Sequence, residues 1–160
     1  MNLTTLPNSL RIFTDKRNDL RSATVGVWVY TGSRNETEEI SGISHFIEHI
    51  VFKGSEKRTA FQIAEGMDEI GAHVNAYTTK EYTFFYTKAL DYQIVKAADI
   101  LFDMIRNPRI DDNDIEKGLE VATQLFLKGN YKKSLETAIA SINIVEPDIY
   151  NKMLSLYKED

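Results

Sequence analysis

The clearest pattern is the alternation in Arg21 to Thr31, RSATVGVWVYT. Val25, Val27 and Val29 recur at every second position, with Trp28 and Tyr30 flanking them, which predicts a strand with one buried face. Gly32, Ser33, Arg34 and Asn35 break it. Before it, Pro7 and Asn8 separate two short apolar groups within residues 3 to 14, the pattern of a hairpin. After it, the period changes. Phe46, Ile47, Ile50 and Val51 form an apolar stripe with helical spacing from Ser44 to about Phe52, and Gly54 follows.

A second helix is predicted from Thr59, where Thr59 and Gln62 suit a capping box, to about Ile70 before Gly71. Residues 72 to 90 are dense in β-branched and aromatic side chains and read as two strands around a turn at Thr79, Lys80 and Glu81. Tyr92 to Arg106 returns to helical period, with Ile94, Val95, Ala98, Leu101, Phe102 and Ile105 on one face, and Asn107-Pro108 closes it. Three further helical stretches are predicted, from about 112 to 128, 131 to 144 and 148 to 158. The order implies an α+β fold, an antiparallel sheet with helices packed on one side, followed by an all-helical C-terminal segment.

Composition narrows the function. The chain has 160 residues, 42% of them hydrophobic and 27% charged, enough for one packed core. Its net charge of −5, with no visible basic stripe, argues against a nucleic-acid partner. There is no cysteine, so disulfides and thiolate metal sites are excluded, and a metal would need His, Asp or Glu. No apolar run reaches the roughly 20 residues that span a bilayer. The first residues lack the character of a signal or transit peptide, so a cytoplasmic location is expected.

The candidate chemistry lies in GISHFIEHIVFKG, residues 42 to 54. On a helix, His45 and His49 stand one turn apart and about 40° apart around the axis. Two imidazoles so placed can reach one zinc ion. Glu48 is on the same side, where a carboxylate can take a proton from an activated water and later pass it to a leaving amine. A lone His pair at this spacing is more often an ordinary surface feature. H-x-x-E-H is more specific, because it is the inverzincin signature.

Residues 42 to 90, GISHFIEHIVFKGSEKRTAFQIAEGMDEIGAHVNAYTTKEYTFFYTKAL, resemble the N-terminal domain of the pitrilysin/insulinase (M16) family of zinc metallopeptidases, near its mitochondrial-processing-peptidase-like branch. The likeness runs from about Leu10 to Ile115. It implies a peptidase using Zn2+, with His45 and His49 as ligands and Glu48 as general base. It implies that Val74 to Tyr77 is an edge strand that pairs with a peptide substrate, with Asn75 and Ala76 in contact with it. It also implies a second M16-type half or subunit as partner. His73 is not a ligand in relatives that carry it.

The pattern then breaks. The family completes its site from a phrase similar to IEKERKVVLEEI; here Ile115 to Leu125 reads IEKGLEVATQL. Leu125 stands where the resemblance places the ligand glutamate, and Gly118 where it places a supporting one. Glu120 is five residues from position 125, a rotation of about 140°, so it does not substitute without a change of register. We therefore divide the chain at residues 1–117, an M16-like domain, and 118–160, a helical segment. Within the latter, GNYKKSLETAIASINIVEP faintly resembles the C-terminal end of a bacterial septation-ring regulator, and tetratricopeptide-type helix pairs in general. Two functions follow as expectations: a peptidase domain incomplete alone, or an inactive interaction or scaffold domain.

Overall fold

The computed structural model describes residues 1–111. The predicted helices beyond residue 111, together with Gly118 and Leu125, lie outside the described residues.

Two strands, β1 (Asn2–Thr5) and β2 (Arg11–Thr14), form the expected hairpin. Asn8 Oδ1 accepts from Leu10 N–H at 3.1 Å, and Ser9 takes a φ of 69° to close the turn. This pair is a sheet of its own. The main sheet contains β3 (Ser22–Val29), β4 (His73–Thr78) and β5 (Thr83–Leu90), antiparallel in the order β3-β5-β4. Three helices follow the expected spans: α1 (Ile43–Val51), α2 (Ala60–Glu69) and α3 (Ile94–Arg106).

The register explains the alternation. Val25, Val27 and Val29 pair with Thr87, Phe85 and Thr83 and face the helices, as do Val74 and Ala76. There they meet Ile43, Ile47, Val51, Ile63, Met67, Leu101 and Met104. Each large apolar side chain buried this way contributes roughly 1.5–3 kcal/mol. The opposite face carries Trp28, Phe84, Tyr86 and Tyr77. Phe84 stacks at 4.0 Å on Trp28 and at 5.2 Å on Tyr86, and lies over Gly26. Trp28 remains 62% exposed.

α2 begins with the predicted capping box: Gln62 N–H donates to Thr59 Oγ1, and Thr59 N–H donates to Gln62 Oε1. Gly54 does not directly terminate α1. The helix ends at Val51, and Gly54, at φ 138°, instead bridges to Thr59 in the connection to α2.

α3 is rotated from the expected face: it buries Ala97, Ile100 and Met104, leaves Val95 and Phe102 half-buried, and buries one charged residue as well. Asp103 is sealed against the α1–α2 connection, where it accepts from Ser55 Oγ at 2.6 Å, Arg58 Nη1 at 2.6 Å and Asn107 Nδ2 at 3.2 Å. Burial by itself would raise its pKa, but the bonds from Ser55, Asn107 and Arg58, with the Arg58 charge, outweigh it and hold the carboxyl below its ordinary value. Arg58 also pairs with Asp99 at 2.8 Å. This network fixes the connection after α1 to α3.

Candidate metal and peptide site

α1 is an amphipathic helix whose start is built from outside. Gly42 holds φ 90°, a left-handed conformation that suits glycine, in the position before the first turn. Its N–H and that of Ser44 both donate to the Glu36 carboxylate, at 2.7 and 2.9 Å. Two of the orphan donors of the helix are thereby satisfied, and a negative charge sits at the positive end of its dipole. The segment carrying Glu36 is held in turn by the β4–β5 turn. Ser33 N–H donates to Thr79 O at 3.2 Å, Arg34 N–H donates to Lys80 O at 2.8 Å, and Arg34 pairs with Glu81.

Ile43, Ile47, Ile50 and Val51 bury one side of α1, which turns His45 and His49 outward. Their Nε2 atoms converge to 3.0 Å, with the rings edge-on at 83°. Two Zn–N bonds of roughly 2.0–2.1 Å can span any nitrogen pair closer than about 4 Å, so the pair fits a zinc ion in donor type and separation. A third His, Cys, Asp or Glu does not join them among the described residues. His73 opens β4, roughly 16 Å along the strand from its last residue at about 3.3 Å per residue.

Glu48 leans from α1 toward the sheet. Thr78 Oγ1 donates to its Oε2 at 2.6 Å, and His45 Nδ1 lies 3.6 Å from the same oxygen, beyond hydrogen-bond reach. The Glu48 side chain is 12% exposed. Thr78 ends β4 opposite Thr83, whose hydroxyl donates to Thr31 O at 3.0 Å.

Asn75 and Ala76 lie on this same strand, which is an edge of the sheet among the described residues. Thr79 N–H donates to Tyr82 O to close the hairpin, so alternation directs the N–H and C=O groups of Val74, Ala76 and Thr78 toward the open side. Ala76 N–H accordingly donates to Asn75 Oδ1, at 2.8 Å, rather than into the sheet. Among the described residues, the outer edge of the strand is thus an unpaired template next to the helix that carries the histidines.

Sequence reasoning singled out His45, Glu48 and His49; the structure converges the two imidazoles at Nε2 and sets the Glu48 carboxylate 3.6 Å from His45 Nδ1, the other nitrogen of that ring. Sequence reasoning missed Glu36 and Thr78. Glu36 precedes Gly42 by six residues, too far for a capping-box pattern, and Thr78 is thirty residues from Glu48. The density of polar residues around NAYTTKE was the one visible signal. Among the described residues, no helix is long and apolar enough to cross a membrane.

Comparison with known proteins adds three findings. The family model described as Insulinase (Peptidase family M16) matches residues 11–143. The chain is 48% identical over 113 residues to an uncharacterized zinc protease of Bacillus subtilis, covering 71% of this chain and 28% of that protein. It is 42% identical over 119 residues to a probable mitochondrial-processing peptidase subunit beta of Arabidopsis thaliana, covering 74% of this chain and 22% of that one. The chain therefore spans about a quarter of the length of these relatives. The crystal structure of a protease from Helicobacter pylori superposes with a TM-score of 0.65 at 23% identity, over 77% of this chain and 30% of the other, a likeness of fold.

Proposed function

This chain belongs to the insulinase (M16) peptidase family, and from that premise we propose that it is the metal-binding and peptide-pairing part of a zinc metallopeptidase, completed by a second M16-type half or subunit. The observation that carries the reading is the convergence of His45 and His49 Nε2 at 3.0 Å beside a carboxylate, Glu48, on a helix whose start is fixed by Glu36.

In this reading His45 and His49 hold the zinc. Zinc, when bound, supplies Lewis-acid polarisation of a carbonyl and a nucleophile at neutral pH. Glu48 is the proton carrier, since a carboxylate anchored close to the imidazoles can accept a proton and return it to a leaving amine. The open edge of β4 receives the substrate as an added strand, so that main-chain bonds supply affinity and Asn75 and Ala76 lie at the contact. For a peptide carbonyl to accept from Ala76 N–H, the Asn75 amide must first give up that bond.

Catalytic zinc sites keep three protein ligands. Residue 125, where the family resemblance places the third ligand, is Leu, so in this reading another group supplies that ligand or the site stays weak. That same residue favours a second reading, an inactive M16-like interaction or scaffold domain. A zinc titration by calorimetry on the full chain and on His49→Ala separates the two. Binding in the parent that is lost in the variant supports the first; equal, negligible heat in both removes the metal site and leaves the second. The Arabidopsis thaliana relative is named as a subunit, which supports an assembly as the working form.

A further inference from the structure

Among the described residues, the hydrogen bond that orients the Glu48 carboxylate comes from Thr78 alone. A glutamate has three side-chain torsions and up to roughly 2 kcal/mol of rotamer entropy to lose. An O–H···O⁻ bond of 2.6 Å is short and charge-assisted, the kind that selects one orientation. Thr78 is itself well placed. It is β-branched and stiff in a strand, it pairs with Thr83, and its hydroxyl lies 3.4 Å from Thr83 Oγ1, which is bonded to Thr31 O.

The backbone of Thr78 has a second orientation of interest. Its N–H and C=O belong to the set directed at the open edge of β4, where an added peptide strand would bond. One residue therefore touches both the edge that receives a strand and the carboxylate beside the histidines. We propose that Thr78 is the positioning residue for Glu48 and links occupancy of the β4 edge to the orientation of that carboxylate. This rests on the peptidase reading above for its functional meaning, though not for its geometry. The Thr78 hydroxyl bonds to the Glu48 carboxylate, not to an imidazole, so its role is distinct from metal binding.

The test uses the full chain labelled with carboxyl-13C glutamate, with Glu48→Gln identifying the Glu48 resonance. Thr78→Ser keeps the hydroxyl and Thr78→Val keeps the shape without it; Thr78→Ala replaces the valine variant if that one fails to fold. The Glu48 resonance is expected to coincide in the parent and Thr78→Ser and to move in Thr78→Val, at unchanged zinc affinity. A resonance unmoved in Thr78→Val overturns the positioning role.

A short extended peptide is then titrated into each protein, now also labelled with 15N-asparagine, with Asn75→Ser identifying the Asn75 signals. The Asn75 amide is expected to respond in all three, and the Glu48 carboxyl only where the hydroxyl is present. A Glu48 response that persists in Thr78→Val overturns the link. If the Asn75 amide responds in none, the peptide-pairing reading and the link fail together, while the positioning role is still judged by the carboxyl resonance of the free proteins.

Discussion

Glu36 reaches over eight residues to accept the N–H of Ser44 at 2.9 Å, and with its other oxygen takes Gly42 N–H. A carboxylate from a preceding loop thus caps the helix that holds both histidines. Replacing it by alanine leaves two helix donors without their partner and removes the charge at the dipole. Glu36→Ala is expected to lower stability by about 1 kcal/mol, and Glu36→Gln by less. Urea unfolding monitored by circular dichroism measures both.

Zinc affinity should depend on both imidazoles, because their Nε2 atoms form the converging pair. His45→Ala and His49→Ala are each expected to weaken binding by at least about tenfold, ~1.4 kcal/mol. A ligand that binds only the folded state raises the melting temperature. Added zinc should therefore raise that of the parent and raise that of either variant by less at the same concentration.

Leu125→Glu places a carboxylate where the family resemblance expects the third ligand. Zinc should then bind at least about tenfold more tightly, and peptide cleavage abolished by Glu48→Gln should become measurable. Unchanged affinity in Leu125→Glu would show that position 125 is not where a third ligand acts.

Asp103 gives an acid-sensitive element. Its pKa is lowered in the fold, although burial opposes this, because Ser55, Asn107 and Arg58 donate to it. Its contribution is therefore complete above the ordinary value of 3.8 and is lost as the pH falls through the lower folded value. Asp103→Asn should cost roughly 2 kcal/mol near neutral pH and flatten the loss of stability at acid pH. Chemical unfolding of parent and variant from neutral pH to about pH 2 tests both.

Gly26 lies under the Phe84 ring, where an added Cβ would fall 2.4 Å from Cε2. The ring cannot withdraw freely, since it is packed between Trp28, Tyr77 and Tyr86. Gly26→Ala is expected to cost about 1–3 kcal/mol, visible as a lower melting temperature and a changed tryptophan emission from Trp28.

Much of the fold was legible because each element signals itself locally. The two-residue period of Val25, Val27 and Val29 marks the buried face of β3 whatever it pairs with, and Thr59 with Gln62 marks the start of α2 within four positions. The face of α3 was read less well. An aspartate on a helix reads as solvent-facing, yet Asp103 is buried because Ser55 and Arg58 arrive from 48 and 45 residues away. The hairpin of residues 72 to 90 was legible, and the family resemblance implied that Val74 to Tyr77 is an edge strand; local periodicity did not say that β5 lies between β3 and β4, which leaves β4 at the edge among the described residues.

The same division holds at the site. The sequence by itself determined the trio His45, Glu48 and His49, because a helix of regular pitch places residues three and four apart side by side in any context. It also supplied the break in the family pattern at Leu125. Only the tertiary structure decided what orients the trio: Glu36 at the helix start and Thr78 on the carboxylate. Those contacts join segments up to thirty residues apart, and local periodicity does not encode which distant side chain packing will bring into reach.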